Sequence, residues 1–164
     1  MTYRSSQSYI GQQALADVDT TQRHPLGTII KAYDPTYGAG EFIYLKGVSS
    51  AAVGHLVSYD VTFTAALHTT ELDKPRPVAV LMSAIDASTK YGWAQISGQA
   101  VVKKAVSVSF AAGAALAGGS GLAIAVVSGL ILNGALVAVV ASAKSDVASV
   151  RVMISRPHGP SDVS

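Results

Sequence analysis

Hydrophobic and polar residues alternate along the stretch from residue 94 to residue 110. Every second position from Ala94 to Phe110 is non-polar except Lys104, and most of the positions between them are polar. A period of two is typical of a strand with one buried face, because successive side chains point to opposite sides. One strand of this length would span roughly 55 Å, which is far more than usual. The pattern therefore predicts two successive strands, with a break or bulge at Gly98.

Shorter runs of the same kind, separated by glycine, proline and aspartate, occur on both sides of this stretch. The alanine-rich residues 111–117 fit either a helical turn or a loop. About ten short strands predict an all-β fold, either a compact β-sandwich or a small β-barrel. Besides the central stretch, the predicted strands are 28–33, 41–46, 55–60, 62–67, 78–84, 122–127, 130–132, 135–141 and 148–155.

The two ends of the chain differ from this middle region. Residues 1–25 are rich in Ser, Gln, Thr and Asp and carry few apolar side chains. Such a segment cannot bury enough surface to fold alone, so we expect an extended N-terminal arm laid along a neighbouring subunit. Residues 26–156 are predicted to form the β-domain. Residues 157–164, which contain two prolines and a glycine, are expected to form a loose C-terminal tail.

The composition limits the kinds of partner that the protein can have. The 164 residues fit one domain, and 49% of them are hydrophobic whereas only 13% are charged. A chain so poor in charge often has surface that other subunits cover, so we expect a homo-oligomer. A net charge of +2 without any basic run offers no phosphate-binding surface, which argues against nucleic acid as a partner. The absence of cysteine excludes disulfides and thiolate metal sites.

The uncharged run from residue 105 to residue 143 raises the question of a membrane segment. Residues 121–141 are long enough to span a bilayer as a helix. The pair Asn133-Gly134, which favours hairpin turns, and the many Val and Ile residues indicate buried strands instead. The N-terminus lacks the basic and apolar regions of a secretory signal. We therefore expect no membrane contact, synthesis in the cytoplasm and burial of residues 105–143 in the assembly.

Residues that could carry chemistry do not form a recognisable catalytic or metal-binding pattern. Gly38-Ala39-Gly40 lacks the third glycine of a dinucleotide-binding motif, and Ser120 lacks the flanking pattern of a nucleophile elbow. The four histidines lie far apart, without metal-ligand spacing: His24, His55, His68 and His158. The sequence thus predicts no catalytic residue, no metal site and no cofactor, and a protein that is not an enzyme.

Two large aromatic residues, Tyr91 and Trp93, lie on the polar face of the central alternation. They form either a satellite core under a loop or an anchor at an interface. Lys104, alone on the apolar face, either extends past an edge or marks where that face meets solvent. We expect contacts with another subunit at aromatic and apolar residues of the arm and of this strand, namely Tyr3, Tyr9, Ile10, Tyr91 and Trp93.

Several short sequence features follow one another in order between residues 23 and 156. They are HPLGT at 24–28, GEFIYLKG at 40–47, PVAV at 77–80, YGWAQISG at 91–98, a block rich in Ala and Gly, and an Arg-Pro ending at 156–157. With these features the chain resembles the small head-decoration or capsid-associated structural proteins of tailed bacteriophages. The resemblance implies a compact β-domain on the outside of a capsid shell, commonly a trimer, with the major capsid protein as partner.

The sequence and the resemblance together predict a non-enzymatic virion structural protein that binds and stabilises the capsid exterior. The five predicted contact residues would then face either another subunit or the capsid. An alternative is a head-fibre or tail protein that acts as a host-surface binding module. Such a module is expected to show a fibre-like repeat or aromatic-rich carbohydrate loops, whereas this chain has one tryptophan and no repeat.

Overall fold

A computed structural model describes residues 4–5, 13–69, 76–126, 130–142 and 148–159. All regular secondary structure in these ranges is β, so the predicted all-β class is confirmed. The sheet stays open and sandwich-like and does not close into a barrel. The strands are β1 Arg4–Ser5, β2 Ile29–Asp34, β3 Gly38–Lys46, β4 Leu56–Tyr59, β5 Ala65–Leu67, β6 Val78–Leu81, β7 Tyr91–Lys104, β8 Ala117–Gly119, β9 Leu122–Ile124, β10 Asn133–Val137 and β11 Ala148–His158. Each predicted strand except 130–132 is present, with bounds that differ from the predicted ones.

The long strand β7 joins all parts of the sheet. Its first half pairs antiparallel with β3 on one side and β6 on the other, in the strand order β1-β2-β3-β7-β6-β4-β5. Its second half pairs antiparallel with β11, which in turn pairs with β10. Its last residue, Lys104, pairs in parallel with Ala123 of β9. The alternation that predicted strand structure in residues 94–104 therefore lies at the centre of the fold.

A bulge, and not an interruption, accounts for the unusual length of β7. Glu41 of β3 faces Ser97, whereas the next residue, Phe42, faces Gln95, so Ile96 is the extra residue in this ladder. Bulges of this kind bend a strand and increase its twist without ending it. The prediction of two separate strands is therefore wrong. Gly98 has a φ of 99°, and a Cβ there would overlap the carbonyl oxygen of Ala39.

Three hydrophobic clusters meet at β7. Ala100 and Val102 belong to the largest cluster, which fills the space between β7, β10, β11 and residues 110–116. Ala94 and Ile96 belong to a second cluster, together with residues of β3, β4 and β6. Trp93 belongs to a third cluster, with residues of β2 and β3 and with Leu15. The first half of β7 is consequently buried on both of its faces.

The N-terminal segment folds back onto its own chain. Arg4 and Ser5 pair with Tyr33 and Ala32 of β2, and the buried side chain of Leu15 packs in the third cluster. The prediction of an arm without core contacts is therefore wrong for residues 13–25. Local composition was misleading here because a single well-placed leucine and backbone hydrogen bonds are sufficient to attach a polar segment to a preformed sheet.

The C-terminal boundary also differs from the prediction. Strand β11 continues to His158, Pro157 is buried, and the N–H of Gly159 donates a hydrogen bond to the carbonyl of Arg76 at 3.0 Å. The prediction of a loose tail is thus wrong for residues 157–159. Residues 160–164 lie outside the described part of the chain. Proline is tolerated in β11 because it occurs near the strand end, where a lost N–H donor costs little.

The block of small residues after β7 forms loops and short bridges. Residues 111–117, for which the sequence fits either a helical turn or a loop, contain no helix. Ala115 forms a bridge with Leu136. Asn133-Gly134 is a bulge at the start of β10, with Gly134 at a φ of 74°, so the predicted hairpin turn is wrong. Within the described residues, no helix is long and apolar enough to cross a membrane.

Candidate functional site

The predicted contact residue Trp93 is a core residue of its own chain. Its side chain is 0% exposed and therefore offers no surface to a partner. Of the two alternatives for the aromatic pair, the satellite core describes Trp93, and its predicted role as a contact residue is wrong. The physical reason is that residues of the N-terminal segment and of β2 cover the face of β7 that the local alternation assigns to solvent.

An aromatic cluster surrounds Trp93. The ring of Tyr44 lies 5.0 Å from that of Trp93, and the imidazole of His24 lies 5.3 Å from Trp93 and 5.1 Å from Tyr44. Tyr91 is half-buried and stacks at 6.4 Å on Tyr44, so its contact with a partner stays a prediction. The other three predicted contact residues, Tyr3, Tyr9 and Ile10, lie outside the described residues.

The hydroxyl of Tyr44, at the centre of this cluster, is bound to the protein's own backbone. The N–H of Arg23 donates a hydrogen bond of 3.4 Å to the hydroxyl oxygen of Tyr44. Burial is the main cause that raises the pKa of the Tyr44 hydroxyl above its ordinary value, so the group stays neutral near neutral pH. A neutral, covered phenol of this kind attaches the N-terminal segment to the sheet and has no open face for a ligand.

A second polar cluster resembles a nucleophile with its base. The Oγ of Ser58 lies 2.8 Å from Nδ1 of His68, which is the separation expected for a serine activated by histidine. Both side chains are buried, and the imidazole lies directly against Gly118, where even an added Cβ would overlap the ring. Burial lowers the pKa of His68. Since no substrate can reach Ser58, the pair serves the fold by satisfying two buried polar groups.

Metal binding also lacks a site in the described ranges. No group of three or more His, Asp or Glu side chains is close enough there to hold an ion. Among the ion pairs there, Asp19 binds Arg23, Asp86 binds Lys90, and Glu41 lies between Lys31 and Arg156. These pairs are all exposed on at least one partner, and such pairs contribute about 1 kcal/mol or less.

The outer face of β10 and β11 carries an exposed apolar surface, formed by Ile131, Leu136 and Met153. Leu136 and Met153 are direct cross-strand partners, and they are 53% and 51% exposed. Ile131 is exposed beside them. Cross-strand apolar neighbours on a water-facing side of a sheet gain little unless something covers them. We refer to these three residues as the apolar surface.

A groove of about 370 Å³ runs along the apolar surface. It is lined by Ala115, residues 131–136 and residues 153–155, and its wall is predominantly non-polar. Val139 and Val140, beyond the end of β10, are also exposed, and they line a different groove. A contiguous apolar area with a concave centre is the kind of feature that marks an interaction site on a soluble protein.

The sequence contained a signal for this surface that the strand assignments did not use. Along β11, the outward-facing positions Ser149, Arg151 and Ser155 are polar, and Met153 is the single apolar exception. In β10, Leu136 occupies the outward position between the buried Ala135 and Val137. An apolar residue at an outward position in each of two strands, in register, is the pattern that indicates a covered outer face.

Comparison of the chain with known proteins does not assign it to a family. No protein-family model matches the sequence, and no curated protein matches it either.

Proposed function

We propose that this protein is a non-enzymatic structural component of a phage virion, which assembles with copies of itself and stabilises the capsid shell from outside. The observation that carries the proposal is the apolar surface, with Leu136 and Met153 half exposed and in register. The ordered features of residues 23–156 that resemble head-decoration proteins supply the shell and the major capsid protein as partner. A trimer on the virion exterior follows from the same resemblance.

The character of the apolar surface favours contact between copies over contact with a transient partner. Interfaces of homo-oligomers are more apolar than those of transient complexes, and charged residues are depleted at their centre. The chain has 13% charged residues, and none of the described residues that line the groove beside Leu136 is charged. Many identical copies on a shell also multiply weak individual contacts through effective concentration, so each subunit needs only a modest affinity for the capsid.

A double variant, Leu136→Ser with Met153→Ser, tests the proposal. Light scattering should show a stable oligomer for the parent protein and a smaller species for the variant, with little change in the melting temperature. Sedimentation with phage capsids that lack the protein should pull down the parent and much less of the variant. Val61→Ser is the matched control, because Val61 is 93% exposed outside the apolar surface. A monomeric parent at micromolar concentration, or undiminished capsid binding by the variant, contradicts the proposal.

A further inference from the structure

The turn between β8 and β9 closes the end of another pair of strands. The N–H of Leu56 donates a hydrogen bond of 2.8 Å to the carbonyl of Gly121, and the N–H of Gly121 donates one of 2.9 Å to the carbonyl of His68. Leu56 is the first residue of β4, and His68 directly follows β5. Gly121 is therefore hydrogen-bonded to both members of this strand pair. We refer to residues 117–124 as the β8–β9 hairpin.

The β8–β9 hairpin is attached to the sheet at its turn and along β9. Ser120 and Gly121 form a two-residue turn, and their φ angles of 48° and 78° are the positive values that a type I′ turn requires. In β9, the carbonyl of Ala123 accepts a hydrogen bond of 2.9 Å from the N–H of Ala105, at the end of β7. Short units attached in this way can open while the remainder of a protein stays folded.

Two histidine rings lie next to the backbone of this hairpin. A Cβ on Gly118 would overlap the imidazole of His68. A Cβ on Gly121 would lie 3.3 Å from Nδ1 of His55. The two glycines thus allow the imidazoles to approach the hairpin closely, and any change in the charge of these rings is felt at its point of attachment.

The surroundings of both rings suit a neutral imidazole. Nδ1 of His68 lies 2.8 Å from the Oγ of Ser58, and both residues are buried. Nδ1 of His55 is buried and has no hydrogen-bond partner among the described residues, so a proton on this atom would add a charge without an acceptor. Burial lowers the pKa of both histidines, and the charge of Lys103 lowers the pKa of His55 further.

In the described part of the chain, the charged residues next to this region are basic. The N–H of Lys103 donates a hydrogen bond of 2.8 Å to the carbonyl of Gly54, the residue before His55. Lys104 pairs with Ala123 of the hairpin. The ion pairs between described residues include no histidine. Protonated rings would therefore lack a counter-charge here, and opening of the hairpin would stabilise them because water could reach them.

We propose that His55 and His68 make the β8–β9 hairpin an acid-sensitive part of the fold: it opens locally when the imidazoles take up protons, while the rest of the sheet stays paired. In the closed form the pKa of both rings is lowered, whereas rings that water reaches titrate near the ordinary value of 6.5. The open form binds more protons, so opening becomes more frequent as the pH falls through about 6.5. This inference does not depend on attachment to a capsid, since it rests on contacts within one chain.

Hydrogen exchange of the full chain, followed by mass spectrometry at about pH 7 and about pH 5, tests the proposal. Protection factors, which are corrected for the intrinsic pH dependence of exchange, should fall about tenfold or more over residues 117–124 at the lower pH. Exchange in urea up to about 1 M separates local opening from global unfolding. The protection of the hairpin should hardly depend on urea, because local opening exposes little surface. Strand β3, on the other side of β7 from β4, is the internal control, and its protection should decrease with urea.

A double variant, His55→Phe with His68→Asn, removes both titrating groups. Phenylalanine keeps a ring beside Gly121, and asparagine can keep a hydrogen bond to Ser58. The hairpin of this variant should have the same protection at both pH values. A variant hairpin that responds to acid as the parent does overturns the proposal. Two results on the parent protein alone also overturn it: protection of the hairpin that is unchanged between the two pH values, or protection that depends on urea as strongly as that of β3.

Discussion

Asp19 and Tyr91 exchange two backbone hydrogen bonds: the N–H of Tyr91 donates to the carbonyl of Asp19 at 2.8 Å, and the N–H of Asp19 donates to the carbonyl of Tyr91 at 3.1 Å. This bridge attaches a segment that is polar in sequence to the first residue of β7. The neighbouring Leu15 is buried against the cluster that contains Trp93. Residues 13–24 therefore form part of the folded domain and cover its tryptophan.

Leu15→Ala should lower the free energy of unfolding by about 2–3 kcal/mol, because it leaves a cavity in the cluster around Trp93. Val18→Ala is the control: Val18 lies on the same segment but is exposed, so its truncation should cost only a few tenths of a kcal/mol. Urea unfolding followed by tryptophan fluorescence measures both. Equal costs for the two variants would mean that the segment does not contribute to the core.

Trp93→Ala should act on the fold and leave the assembly of the folded protein unchanged. Removal of a fully buried tryptophan costs about 3–5 kcal/mol of stability. Leu136→Ser is the complementary variant, which should reduce the oligomer mass with little loss of stability, since Leu136 is on the outside of β10. Circular dichroism melting and light scattering on both proteins check the two effects. The assignment fails if Trp93→Ala keeps the parent's melting temperature.

The strands could be predicted because their alternation is local. In β11, for example, the buried positions Val150, Val152 and Ile154 alternate with outward ones, and no distant contact is needed to recognise this. Trp93 could not be placed from the same rule, because the segment that covers it lies far away in the sequence. Asn133-Gly134 was misassigned for a related reason: a glycine at positive φ serves a hairpin and a bulge equally well, and only the register distinguishes them.

The apolar surface and the burial of Lys104 could not be predicted from the sequence, because local patterns do not show which strands pair or in which register. Met153 is an outward apolar residue, but its pairing with Leu136 is set by the register of β10 against β11. Lys104 is the exception in the alternation, and the sequence predicted that it either extends past an edge or marks where the apolar face meets solvent. It is 1% exposed, so both interpretations are wrong. Strand β9, which pairs with Lys104 in parallel, follows a loop and encloses the lysine. The apolar surface and the burial of Lys104 therefore both arise from long-range pairing between strands that are individually predictable.

Gly98→Ala should destabilise the protein more than Gly113→Ala. Both glycines have positive φ, 99° and 77°, so an alanine at either position carries a backbone cost of about 1 kcal/mol. At Gly98 the added Cβ would also overlap the carbonyl oxygen of Ala39, whereas nothing lies within 4 Å of a Cβ at Gly113. We expect an additional loss of about 1–3 kcal/mol at Gly98, from displacement of β3. Chemical denaturation of the two variants measures this difference, and equal stabilities would contradict the close approach of β7 to β3.

Two histidines, His55 and His68, should make the free energy of unfolding fall as the pH falls. Burial lowers the pKa of His68, and burial together with the charge of Lys103 lowers the pKa of His55, both from an ordinary value of 6.5. In the unfolded chain these groups take up protons as the pH falls through about 6.5, while the folded protein resists protonation. The unfolded state then binds more protons, so the free energy of unfolding is highest above about pH 7 and decreases as the pH falls.

For each proton that only the unfolded state binds, the free energy of unfolding should decrease by up to about 1.4 kcal/mol per pH unit. His68→Asn tests this, because an amide can keep a hydrogen bond to Ser58 but does not titrate. Urea unfolding between about pH 7 and about pH 5 should show a shallower slope for this variant than for the parent. If His68→Asn keeps the parent's slope, His68 is protonated as readily in the folded protein as in the unfolded chain. This result would contradict the burial of the His68 ring against Gly118.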